Sequence, residues 1–167
     1  MSEVKVVKDL ENKKLIVTYT ANGSKDAVWN AYANKEMFEK WWGPEGWDTT
    51  TKAFNFTPGG KIHYGMKCSD ENQGEWFGQT SWGVMDIIAV DPGRSFTYTD
   101  YFSDEEGNLN DEMPALKVTN EFVEEDGKTT ITSTSIADNA EQIEQLINMG
   151  MIEGFTSQLN RLDALFA

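Results

Sequence analysis

Hydrophobic positions along this chain alternate at period two through its middle and follow helical spacing on either side of that stretch. Residues 13–20 put Leu15, Val17 and Tyr19 on one side, the pattern of a half-buried strand. Asn22-Gly23 turns the chain, and Ser24 is a good helix N-cap. Ala27, Val28, Ala31 and Tyr32 then recur at helical spacing. Asn34 is placed to cap a second short helix that carries Met37, Phe38, Trp41 and Trp42. Gly43-Pro44 stops that helix, because proline has no N–H to continue it.

Beyond this corner the period changes to two. Phe54 and Phe56 alternate up to the turn Pro58-Gly59-Gly60. Ile62, Tyr64 and Met66 share one strand face, with Lys61, His63 and Lys67 on the other. Trp82, Val84 and Ile88 form the apolar face of a strand that ends at Asp91-Pro92-Gly93. Phe96 and Tyr98 lead the next strand, which runs into the polar loop 103–112. Leu116, Val118 and Phe122 alternate against Lys117, Thr119 and Glu121, and Asp126-Gly127 signals a hairpin into a last strand over 129–136.

Helical spacing then returns. Ile143, Leu146, Ile147, Met151, Phe155, Leu159, Leu162 and Phe166 form one stripe of a helix predicted from about 139 to 165. Gly150 and Gly154 fall inside it, each costing roughly 1 kcal/mol against alanine. Either the helix kinks there or a neighbouring element packs very close. The order strand, two short helices, about six antiparallel strands and one long helix describes an α+β domain spanning residues 1–167. The apolar faces of sheet and helix must cover each other. A strongly curved sheet gripping a helix leaves space between them.

The composition narrows the functions available. With 167 residues, 12% of them aromatic, the chain can bury about 70% of its unfolded surface in one core. A formal net charge of −14 repels phosphate backbones and anionic headgroups, so nucleic acid and membrane surfaces are disfavoured as partners. Cys68 is the single cysteine, which excludes an intrachain disulfide and fits a reducing compartment. No apolar leader or spanning segment is present, and cytoplasm is the default location.

Four stretches taken in order carry a resemblance. They are Ala27-Val28-Trp29 leading to Trp41-Trp42-Gly43-Pro44; Pro58-Gly59-Gly60 before an aromatic strand; Asp91-Pro92 before Phe96-Thr97-Tyr98-Thr99-Asp100; and Met149 to Phe155 followed by Leu159-Asn160-Arg161-Leu162. On these the chain resembles the START-like, or birch-pollen-allergen-like, helix-grip superfamily. Within it, the chain is most similar to single-domain proteins named after the C-terminal domain of the activator of heat-shock protein 90 ATPase. The resemblance implies a curved antiparallel sheet wrapped around a long C-terminal helix, with two short helices after the first strand. It does not imply one activity, since the superfamily includes lipid carriers, hormone receptors, polyketide cyclases and co-chaperone domains. Asn55 stands where many relatives carry an acidic residue before the turn, so no charged role is carried to this position.

The residues themselves offer little catalytic chemistry. His63 is the only histidine, and its strand register puts it on the face away from Ile62, Tyr64 and Met66, where a surface role is expected. One histidine and one cysteine do not make a usual zinc set. The acidic run through Asp104, Glu105, Glu106, Asp111 and Glu112 lacks calcium-loop spacing and is expected to be a solvated loop. No cofactor is implied, and no catalytic residue is assigned. Polar residues in apolar registers are more informative. Asn120 alternates with Leu116, Val118 and Phe122, so it points inward if the strand is regular, and Ser133 and Ser135 share the face of Ile131. Asp86 and Asp100 also follow apolar alternations, but a one-residue slip reverses a face, and both are expected to reach solvent or to pair internally.

The expected function is non-enzymatic binding of a small hydrophobic or aromatic molecule between sheet and helix. The expected lining is Trp41, Trp42, Phe54, Phe56, Tyr64, Met66, Trp82, Tyr98, Met151 and Phe155, with Asn120 as the polar anchor. Two alternatives stay open. One is a cyclase- or hydrolase-type enzyme using Asp86 or Asp100; the other is an interaction module that binds a chaperone or a second copy of itself.

Overall fold

The computed structural model describes residues 4–166. Eight antiparallel strands form one sheet: β1 (Lys5–Asp9), β2 (Lys14–Ala21), β3 (Trp47–Phe54), β4 (Lys61–Cys68), β5 (Thr80–Asp91), β6 (Ser95–Ser103), β7 (Leu116–Glu125) and β8 (Lys128–Ile136). Their spatial order is β1-β2-β8-β7-β6-β5-β4-β3. Two short helices, α1 (Lys25–Ala33) and α2 (Lys35–Trp41), carry the chain from β2 to the far edge of the sheet. From there the strands meander back until β8 pairs with β2. Helices α3 (Ala140–Asn148) and α4 (Met151–Ala164) complete the fold.

Local chemistry sets these boundaries. Ser24 Oγ accepts from the Ala27 N–H at 3.3 Å, and Asn34 Oδ1 accepts from the Met37 N–H at 3.0 Å. Both helices therefore start at the caps the sequence predicts. Asn139 caps α3 in the same way, accepting from the Gln142 N–H at 2.9 Å.

Four features differ from the sequence reading. First, β1 precedes the strand predicted over 13–20, so the two short helices follow the second strand. As an edge strand with mostly exposed side chains, β1 shows no alternation to detect. Second, the single long helix is two helices. Gly150 adopts φ +94°, a left-handed conformation that ends α3 and restarts the chain as α4. A kink, rather than close packing, is what this glycine provides.

Third, His63 is not a surface residue. It does lie on the face opposite Tyr64, but the loop after β6 folds over it, leaving it 6% exposed. Its Nε2 is 3.1 Å from the Asp104 carbonyl oxygen, and its ring lies 5.3 Å from that of Trp82. Asp104 in turn holds the loop by accepting from the Asn108 N–H at 2.8 Å. Fourth, the β5 face that points to the helices carries Gly83, Met85 and Ile87, paired with Tyr64, Ile62 and Tyr98. Trp82 and Val84 belong to the outer face under that loop. Because the loop gives the outer face an apolar cover of its own, hydrophobicity alone did not distinguish the two sides of β5.

Candidate functional site

The helix-facing side of the sheet is closed at one end and hollow at the other. The closed end is built around the corner after α2. Trp41 is fully buried and donates its indole N–H to the Ala31 carbonyl at 2.8 Å. The backbone of the corner is fastened by α4. The Gly43 N–H donates to Gln158 Oε1 at 2.9 Å, and Arg161 Nη1 donates to the carbonyls of Gly43, Pro44 and Trp47 at 2.9, 3.0 and 3.0 Å. Ser157 Oγ accepts from the Glu45 N–H at 2.8 Å. A guanidinium is suited to this task because it presents several donors in a fixed plane. Trp42 is thereby held with its side chain at the edge of the hollow.

The hollow is a cavity of about 290 Å³ between the sheet and α3–α4. Its walls include Trp42, Tyr64 and Met66 from the corner and β4, and Phe102 and Leu116 from the sheet. Met151, Gly154, Phe155 and Gln158 of α4 form the opposite wall. Gly154 meets no atom within 4 Å of where a Cβ would stand, so its missing side chain leaves space open. A second pocket of about 20 Å³ lies deeper, lined by Tyr98, Asn120 and Ser133. Trp42, Phe155 and Gln158 line both spaces and so form the partition between them.

Polar groups enter this apolar space at two points. In the inner pocket, Asn120 is 3% exposed and its Oδ1 accepts a hydrogen bond from the Ser133 hydroxyl. The strand is regular there, pairing Asn120 with Phe96 and Ser133, so the residue faces inward as its alternation predicts. At the outer cavity stands Asp100. Regular pairing with Met85 and Leu116 turns it inward, where it has an internal partner rather than solvent, because the β5–β6 bulge falls farther along, between Ile87 and Ala89. Tyr64 donates its hydroxyl to Asp100 Oδ1 at 2.9 Å. The Tyr64 ring reaches it by lying across Gly83, where any Cβ would collide with the phenol.

The low-dielectric surroundings act on both groups. Burial pushes the Asp100 carboxyl up to about 7, with the Tyr64 hydrogen bond pulling slightly the other way. Burial and the neighbouring Asp100 raise the Tyr64 phenol well above its ordinary value. Asp86 sits on the outer face beside Val84, with Thr99 opposite, and does not meet the cavity.

Of the lining residues expected from sequence, Trp42, Tyr64, Met66, Met151 and Phe155 line the outer cavity, and Tyr98 and Asn120 the inner pocket. Trp41, Phe54 and Phe56 pack elsewhere. Phe54 lies 5.5 Å from Phe38, and Phe56 lies 4.8 Å from Phe96. Trp82 is on the opposite side of the sheet and cannot touch a ligand in this space. Gln158 was not foreseen, since a glutamine in an amphipathic helix carries no signal of its own. Its position one residue before Leu159, on the buried stripe, was the available clue.

A curved antiparallel sheet against a C-terminal helix, with a Trp-Trp-Gly-Pro corner closing one end, matches a known family. The family described as "Activator of Hsp90 ATPase homolog 1-like protein" matches residues 22–167. The chain belongs to this family. Its fold is shared with a protein from Mycobacterium smegmatis, at 32% identity and a TM-score of 0.87, covering 99% of this chain and 98% of the other. A Staphylococcus epidermidis protein is 31% identical with a TM-score of 0.80, covering 97% and 93%. An Arthrobacter aurescens protein is 26% identical with a TM-score of 0.87, covering 97% and 90%. No functionally curated protein matches the chain. Among the described residues, no helix is long and apolar enough to cross a membrane.

Proposed function

We propose that this family member binds a small hydrophobic or aromatic molecule in the cavity between the sheet and α3–α4, without transforming it. The observation that carries the reading is the cavity itself. Its volume of about 290 Å³ is roughly twice the ~150 Å³ that accommodates a benzene in an engineered apolar cavity. Apolar walls with a few placed polar groups are the usual make-up of a small-molecule site. Trp42, Met66, Met151 and Phe155 would supply contact area, and Tyr64 and Asp100 would orient the ligand. Asn120 would add a polar contact for any ligand reaching the inner pocket.

Native mass spectrometry of the purified protein, followed by denaturing extraction, tests this. A co-purified molecule that also shields tryptophan fluorescence from quenching supports the reading and gives its class. Bare chain mass moves weight to a second reading, favoured by the position of Asp100. A cavity carboxyl titrating near neutrality is suited to general acid–base catalysis. Turnover that disappears in a folded Asp100→Asn variant would establish that alternative. Binding of a chaperone, or of a second copy of the chain, is a third outcome, for which the exposed Trp76 and Phe77 offer contact surface.

A further inference from the structure

We propose that the cavity selects an apolar ligand bearing one protonated amine, which Asp100 receives on Oδ2 while Tyr64 holds Oδ1. This deepens the binding reading above and rests on it. The argument starts from an imbalance. Among the described residues, Asp100 is the only charged one lining the cavity, and no lysine, arginine or histidine lines it. Among the described residues, no cation lies within ion-pair distance of its carboxylate. One oxygen is occupied by the Tyr64 hydroxyl, and the other accepts no hydrogen bond from the described residues.

A carboxylate held this way in apolar surroundings is undersupplied with donors, and a group that brings a positive charge and an N–H satisfies both needs at once. An anionic ligand would meet the same carboxylate without any counter-charge, inside a protein of net charge −14. A neutral ligand would gain the apolar contacts and at most a hydrogen bond from a hydroxyl to Oδ2, without a counter-charge. The geometry also fixes orientation. The amine lies at the sheet side, against β4 and β6, while the apolar body extends toward Phe155 and the space left by Gly154.

The titratable groups around Asp100 are few. Tyr64 faces it from β4, Tyr98 precedes it by two residues on its own strand, and Tyr101 follows it. The facing residues of the other elements are uncharged: Met85 on β5, Leu116 on β7, Leu146 on α3, and Met151 and Phe155 on α4. The pH dependence of amine binding therefore reports on Asp100.

The test is calorimetric titration of the full chain with three probes sharing one apolar body: naphthylmethylamine, naphthylmethanol and naphthoate. The amine is expected to bind roughly 10- to 100-fold more tightly than the alcohol, as a hydrogen-bonded charge requires, with naphthoate weakest. Amine affinity should fall about tenfold between pH 8 and pH 5.5 as Asp100 takes up a proton. In Asp100→Asn the amine should lose its advantage, so that amine and alcohol bind within about twofold of each other. Tyr64→Phe gives an independent reading, because it removes the hydrogen bond that favours the ionised carboxylate. It should keep the amine preference and move its pH midpoint upward.

Equal binding of amine and alcohol overturns the proposal while leaving the cavity as a binding site. An amine preference that survives Asp100→Asn also overturns it and assigns the preference to the overall negative field. An unmoved midpoint in Tyr64→Phe counts against the assigned geometry. If none of the three probes binds, the cavity-binding reading fails as well.

Discussion

The helices that cover the two ends of the sheet's inner side bring different side chains to it, and the difference explains why one end is solid and the other hollow. Under α1 and α2 the core is aromatic. Trp29 stands edge-on to Phe122 at 5.3 Å and to Phe96 at 5.8 Å, and Tyr32 meets Trp41 at 4.7 Å and Phe122 at 5.2 Å. Rings at these separations gain from their quadrupoles as well as from burial. Under α3 and α4 the sheet and corner still present aromatics, among them Trp42, Tyr64 and Phe102, but the covering helices bring leucine, methionine and glycine, with Phe155 as the aromatic that α4 contributes. Flexible thioethers and a missing side chain leave room that rigid rings would fill. A fold can thus keep a cavity at one end because the other end is packed tightly enough to hold the sheet's shape.

The most severe way to break this contrast is to hollow out the solid end. Trp41→Ala removes a fully buried indole and its bond to Ala31, and should cost about 3–5 kcal/mol in denaturant unfolding. A loss below about 1 kcal/mol would mean the corner is not the keystone described here.

At the hollow end, Asp100→Asn should stabilise the protein. Folded Asp100 titrates near 7, against about 3.9 in an unfolded chain. The folded state therefore holds an extra proton between roughly pH 4 and 7, and the cost of burying the charge grows as pH rises through that range. It is absent below about pH 4 and complete above pH 7. The gain from Asp100→Asn, discounted for partial exposure to the cavity, should be about 1–3 kcal/mol at pH 8 and near zero at pH 4. Unfolding curves at both pH values check the sign, and a stability change that does not vary with pH would refute it.

Phe155→Ala measures the contrast directly. This side chain lines both the outer cavity and the inner pocket, so fewer contacts are lost than at a filled site, and the cost should stay under about 2 kcal/mol. A cost equal to that of Trp41→Ala would show that the hollow end is packed after all. The smallest effect belongs to Gly154→Ala. Its new methyl enters empty space in the middle of α4, so stability should rise by up to about 1 kcal/mol while the cavity shrinks. Thermal unfolding with and without naphthylmethylamine separates the two consequences. Lower stability would mean that the space beside Gly154 is occupied.

Much of this architecture is legible in the order of residues, and the failures have specific physical causes. The caps at Ser24 and Asn34 and the inward turn of Asn120 follow from neighbours a few positions away. Those are the distances at which capping and strand alternation act. Trp82 and His63 were misjudged for one shared reason: the loop after β6 covers the outer face, and no local pattern announces a distant loop. For Asp100 the sequence leaves solvent and an internal partner both open, because a nearby bulge can reverse its face, and only the pairing register puts it beside Tyr64.

By itself the sequence determined the class of fold, its element order and its aromatic corner, because hydrophobic period and turn chemistry are local properties of the chain. The tertiary structure alone decided which of those residues meet. Gln158 and Arg161 fasten a backbone more than a hundred positions earlier, and Tyr64 reaches Asp100 across thirty-six residues because a strand glycine makes room for its ring. A cavity is the shape of what several distant elements fail to fill. That shape depends on how all of them pack, and no stretch of the chain encodes it separately.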